Sequence, residues 1–207
     1  MGMTELGEKG EAVRCPRIFV ARHCKTSWNL EHRIQGRTDI PLCEAGLVEA
    51  RANCALLRDL PIDRIFSSPL ARGRQTAEIY GAALGVPIEA WPEWIEVNMG
   101  EWEGHTRKEL SAREPAEYER WLADPSRVPL PPIGGEDIGG ARKRVVGALC
   151  SLAVRPERGV LIVLHKYIRA LLHCAVFDLP LSRFTDEIVE PTAPSELPPD
   201  LVARLCR

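Results

Sequence analysis

Residues 159–164 read Gly-Val-Leu-Ile-Val-Leu, an apolar run without alternation. A strand that faces water on one side alternates polar and apolar residues, so a run apolar throughout must be covered on both faces. The middle of a parallel sheet with helices above and below meets that condition. The run ends at once in His165, which puts a titratable side chain at the carboxyl end of a central strand. Open α/β sheets hold their ligands at that end.

Two more strand candidates end the same way. Ile18-Phe19-Val20-Ala21 runs into Arg22-His23-Cys24-Lys25-Thr26-Ser27-Trp28-Asn29, a loop dense in donors. Ile62-Asp63-Arg64-Ile65-Phe66 runs into Ser67-Ser68-Pro69, with Ser68 as a helix N-cap and Pro69 at the first helical position. Leu47, Ala50, Cys54 and Leu57, and then Leu70, Gly73, Ala77, Tyr80 and Leu84, recur at helical spacing. Val86-Pro87-Ile88 reads as a short edge strand, residues 136 to about 154 as a helix, and residues 168–177 as a largely buried one. This order predicts an α/β fold, a three-layer α/β/α sandwich with a mostly parallel central sheet.

Residues 91–135 carry Trp91, Trp94, Trp102 and a Pro-rich stretch over 125–132, and read as a small inserted cap region over the site. Residues 1–16 read as a disordered leader, 17–182 as the folded domain and 183–207 as a Pro-rich C-terminal tail. No structure is assigned to 190–200.

Charge and cysteine usage narrow the setting. A formal net charge of −2 argues against a nucleic-acid binder, which carries a basic surplus. No apolar run approaches the roughly 20 residues that span a bilayer. Seven scattered cysteines without a C-x-x-C pair fit reduced thiols better than a disulfide framework or a zinc site, and a cytoplasmic location is expected.

In a parallel sheet the three strand ends lie along one edge, so Arg22, His23, Arg72 and His165 can converge. Two arginines and two histidines around one point suit a phosphoryl group. Arg72 would stand in the first turn of its helix, where free amides also favour an anion. Other phosphate chemistries are excluded: the chain has no P-loop, no G-x-G-x-x-G and no cysteine followed six residues later by arginine. It also lacks a G-x-S-x-G elbow and clustered aspartates for a metal.

The blocks ARHCKTSWN, RIQGRTDIPLCEAG, IFSSPLARGRQTAEIY, WIEVNMGEWEG and GGED, with the apolar strand ending in His165, resemble the histidine phosphatase superfamily. That family includes cofactor-dependent phosphoglycerate mutases and small phosphatases. The resemblance implies His23 as phosphohistidine nucleophile, Arg22 and Arg72 as phosphate-clamping arginines and His165 as the second pocket histidine. It further implies Glu96 as acid–base group, with Asn29, Gln35 and Gly36 contacting phosphate or substrate, and neither metal nor cofactor. Lys166 is a candidate for added positive charge near the phosphate.

Two positions depart from the family pattern. Cys24 stands where the family has glycine, and Lys166-Tyr167-Ile168-Arg169 replaces a turn one residue longer. Both are expected to bear on the width of the pocket and the tilt of His165. No counterpart of the family's final strand is evident. The expected function is a metal-independent phosphomonoesterase acting on a small phosphorylated metabolite through a phosphohistidine. The alternatives are a phosphoglycerate mutase and a catalytically impaired phospho-ligand or partner-binding member. The expected partner is a small phosphate monoester, with no nucleic acid and no membrane, and a homodimer is left open.

Overall fold

The computed structural model describes residues 15–113, 115–124, 134–188 and 192–207. Residues 1–14 of the expected leader and the Pro-rich stretch over 125–132 lie outside the described residues. Strand β1 (Arg17–Arg22) leads through the short helix α1 (Ser27–Leu30) to α2 (Glu44–Asn53), β2 (Arg64–Ser67), α3 (Ala71–Leu84) and β3 (Ile88–Ala90). Helices α4 (Arg107–Arg113), α5 (Pro115–Ala123) and α6 (Ile138–Ala153) precede β4 (Gly159–Leu164), α7 (Lys166–Val176), β5 (Ser195–Leu197) and α8 (Pro199–Leu205). The strand order is β3-β2-β4-β1-β5. Every pairing is parallel except β5, which runs antiparallel to β1.

The apolar run therefore occupies the centre of the sheet, as its composition requires. Alternate residues of neighbouring strands divide between two cores. Ile18, Val20, Val160, Ile162 and Leu164 pack on one face beneath α6 and α7. Phe19, Ala21, Leu161 and Val163 pack on the other, beneath α2 and α3. Each face is apolar because each is covered, and the result is the three-layer sandwich expected. The described residues between β3 and α6 join this body through aromatic rings. Trp121 meets Trp102 at 5.6 Å and Tyr167 of α7 at 5.8 Å between centroids, and Phe184 lies 5.7 Å from Tyr167.

Four sequence expectations are corrected. The final strand exists: β5 pairs Ile18 with Leu197 through Val20 with Ser195, and the bidentate Arg17–Glu196 pair closes its outer end. Ser68 does not cap α3, which begins two residues beyond Pro69 with Leu70 at its N-cap. The first amide of that helix, Ala71 N–H, donates instead to Asp39 Oδ1 at 2.6 Å. The loop after His23 contains α1, closed by a reciprocal Thr26–Asn29 capping box. The cysteines are not all free thiols: Cys150 of α6 and Cys206 at the end of α8 form a disulfide across a separation of 56 residues. Packing of α8 on α6, which the sequence does not display, brings the two together.

Candidate active site

The parallel register decides where the two histidines meet. Arg22 lies opposite Leu164, so the next residues, His23 and His165, leave neighbouring strands side by side. Their rings stand 5.1 Å apart between centroids. The ladder continues one step further, with His23 N–H on Leu164 O at 2.9 Å, and Ser68 N–H reaches Val163 O from the third strand end. Backbone pairing rather than side-chain attraction thus holds these two rings together.

Each ring has a defined protonation pattern. His23 Nδ1 lies 2.8 Å from the Cys24 carbonyl, which can only accept, so Nδ1 carries the proton and Nε2 keeps its lone pair. Arg72 Nε–H donates to His165 Nδ1 at 3.3 Å, which places the His165 proton on Nε2. That Nε2–H is fully buried and has no hydrogen-bond partner among the described residues. Burial, reinforced by the neighbouring guanidinium of Arg72, holds the pKa of both imidazoles well below 6.5. Both rings are neutral at physiological pH: one offers a lone pair, the other a donor.

Arg72, only 1% exposed, enters from the first turn of α3. Besides His165 it donates from Nη2 to Gly36 O at 2.6 Å and from Nη1 to Thr38 O at 2.8 Å. Among the described residues, three of the five guanidinium N–H groups are used. Burial pushes its pKa down to about 10, still fully protonated near neutrality.

Glu96 is 4% exposed and accepts three backbone amides: Val97 and Ile168 on Oε1 at 2.9 and 3.1 Å, and Tyr167 on Oε2 at 3.1 Å. Tyr167 and Ile168 belong to the first turn of α7, so this carboxylate satisfies orphan donors of the helix that His165 opens. Burial raises its pKa, and the amide bonds oppose that rise only in part.

A cavity of about 550 Å³ opens over these groups. Arg22, His23, Asn29, Gln35, Gly36, Glu96 and Lys166 all lie on its wall, while Arg72 and His165 stand behind it. Trp28, Arg107 and Lys108 form part of the outer wall. Asn29 has a second task, since its Oδ1 accepts both Thr26 N–H and the Thr26 hydroxyl at 3.0 Å.

Cys24 does not narrow this cavity. Its side chain turns the other way, into the core beneath α2 and α3, with Sγ 3.6 Å from the Tyr80 hydroxyl. Its backbone does not have positive φ, so glycine is not required there. Lys166 likewise opens α7 without positive φ, with His165 as an extended N-cap.

Glu103 and Arg37 stand in the sequence only within motif blocks, and Glu136 within GGED and at the expected start of a helix, none of them marked as a site residue. Glu103 accepts Arg37 N–H and Thr38 N–H at 2.8 Å, the Thr38 hydroxyl at 2.5 Å and Met99 N–H at 3.0 Å. It shapes the loop whose carbonyls Arg72 grips. Gly36, at φ +49°, lies so close that an added Cβ would sit 2.0 Å from Glu103 Oε1. The repeated glutamates of WIEVNMGEWEG were the available signal.

The chain matches the Histidine phosphatase superfamily (branch 1) over residues 18–200. It belongs to that family. Phosphoserine phosphatase 1 of Hydrogenobacter thermophilus is 30% identical to it over 169 residues, covering 81% of this chain and 79% of the relative. A probable phosphoglycerate mutase of Erwinia tasmaniensis is 34% identical over 167 residues, covering 79% and 75%. The solved structure of a mycobacterial glucosyl-3-phosphoglycerate phosphatase complexed with VO3 superposes with a TM-score of 0.75 at 27% identity, covering 86% of this chain and 87% of that one. The protein is thus a histidine phosphatase. Among the described residues of this histidine phosphatase, no group of three or more His, Cys, Asp or Glu is placed to hold a metal ion, and no helix is long and apolar enough to cross a membrane.

Proposed function

We propose that this histidine phosphatase hydrolyses a small phosphate monoester, without a metal, through a phosphohistidine on His23. The observation that carries the reading is the Nδ1–Cys24 carbonyl bond, which leaves His23 Nε2 as an unprotonated nucleophile on the cavity wall. Nε2 attacks phosphorus as the ester P–O bond breaks. Charge spreads over the equatorial oxygens, where Arg22, the remaining donors of Arg72 and the His165 Nε2–H would stabilise it. These fixed donors supply the positive field that Mg²⁺ supplies in other phosphoryl transfers.

Glu96 protonates the leaving oxygen as general acid. The resulting carboxylate then takes a proton from the water that attacks the P–N bond, which restores His23 and releases phosphate. Its raised pKa serves the first step and its amide donors stabilise the ion needed in the second. Asn29, Gln35, Gly36 and Lys166 would contact the phosphate or the group attached to it. The substrate class follows the small metabolites in the relatives' names, phosphoserine and glucosyl-3-phosphoglycerate among them.

A mutase must keep water from the phosphohistidine. Among the described residues, the wall residues Glu31, His32, Arg107 and Lys108 are exposed, which supports hydrolysis over retention. Hydrolysis of an aryl phosphate in EDTA by wild type and by His23→Ala tests the reading. EDTA-resistant turnover lost in the variant supports it, and turnover that survives the substitution overturns it.

A further inference from the structure

The Glu96 carboxyl meets the amides of α7 only where its backbone carries it, and residues 93–98 form no long helix or strand that would set that backbone. Beside the packing of Trp94 and Val97 in the core, two arginines hold the carbonyls of this segment. Arg37 Nε–H donates to the Glu96 carbonyl at 3.0 Å. Arg144 of α6 donates from Nη1 to the Ile95 carbonyl at 2.9 Å and to the Glu93 carbonyl. Both guanidinium groups then meet on one carboxylate. Glu136 takes Arg144 in a bidentate pair at 3.1 and 2.8 Å, and its Oε2 lies 3.0 Å from Arg37 Nη2. The Glu136 amide donates to Asn98 O at 3.0 Å, so the same residue also ties the far end of the segment.

We infer that Glu136 is a positioning residue for the acid–base step, acting on Glu96 through Arg37 and Arg144. The inference rests on the reading of Glu96 as general acid given above. Three backbone carbonyls around Glu96 are fixed by two flexible side chains, and each of those has its direction set by the single Glu136 carboxylate. Without it, Arg37 and Arg144 bear like charge within one small volume with no counterion between them, and they move apart. Glu96 moves with the carbonyls they hold. The carboxyl is then displaced from the leaving oxygen while His23, Arg22, Arg72 and His165, set by other elements, stay in place.

A displaced acid has a signature that general loosening lacks. Phenolate from 4-nitrophenyl phosphate leaves without help, whereas the more basic phenolate from phenyl phosphate needs the proton. The test compares kcat/KM on these two substrates for wild type, Glu96→Gln, Glu136→Gln and Arg37→Met, with melting temperatures recorded for each. Glu136→Gln is expected to lower kcat/KM on phenyl phosphate by about 10- to 100-fold, with a much smaller loss on the nitrophenyl ester. Arg37→Met, which keeps the Glu136–Arg144 pair, should show the same selectivity and stands in if Glu136→Gln does not fold. An equal loss on both esters, or none, in variants where Glu96→Gln is selective would overturn the positioning role alone. A Glu96→Gln variant without selectivity would instead remove the reading of Glu96, and this inference with it.

Discussion

Replacing Gly36 by alanine tests whether the Arg72 loop is held as described, and the structure supplies both a magnitude and a control. At φ +49° a side chain costs about 1 kcal/mol in backbone strain. Its Cβ would also stand 2.0 Å from Glu103 Oε1, so that carboxylate must leave its place. Glu103 is bound there by Arg37 and Thr38 amides, the Thr38 hydroxyl and the Met99 amide. Losing one such charge-assisted bond costs about 1.5–3 kcal/mol. The expected destabilisation is about 2.5–4 kcal/mol, or roughly 10 °C in melting temperature for a domain of this size. Gly85 is the control. It has φ +69°, but nothing lies within 4 Å of an added Cβ, so Gly85→Ala should cost the strain alone. Thermal unfolding followed by circular dichroism reads both variants, and kcat/KM on an aryl phosphate should fall only for Gly36→Ala. Equal losses of stability in the two variants would refute the claim that Glu103 organises this loop.

Three further outcomes follow from the same geometry. Cys24→Gly should destabilise the protein by about 2 kcal/mol through lost packing and added backbone freedom, yet leave kcat/KM unchanged, because the thiol faces the core; a large gain in activity would show that the side chain obstructs the cavity. Stability should fall as pH drops below 6.5, since the unfolded chain protonates His23 and His165 there while the folded chain does not. Glu96, raised in the folded state, contributes in the opposite direction between its own folded value and 4.5, so urea titrations from pH 8 to pH 5 should show a decline that His165→Gln makes shallower. Reduction of Cys150–Cys206 should lower stability by about 2–4 kcal/mol for a loop of this length, read as a drop in melting temperature with reductant.

Features with a local sequence cause could be read in advance. The centre of the sheet was visible because Gly159–Leu164 is apolar at every position, and the donor-dense ends at Arg22-His23 and His165 followed from the strands before them. β5 was not visible: Ser195-Glu196-Leu197 has one buried residue in three, and its strand character comes from the β1 edge it joins. The start of α3 was misplaced because its first amide is capped by Asp39, 32 residues away, rather than by Ser68. Glu103 and Glu136 were legible as motif letters but not as parts of the site. Their work is to hold distant backbone and arginine groups, and neither spacing nor composition encodes such contacts.

The central claim is that the phosphoryl group passes through His23. Rapid alkaline quench of the enzyme during turnover of an aryl phosphate, followed by peptide mass analysis, tests it most directly. The account predicts a phosphoryl group on the peptide bearing His23, and neither adduct nor turnover in His23→Ala. A phosphorylated peptide lacking His23, or turnover by His23→Ala, would contradict it.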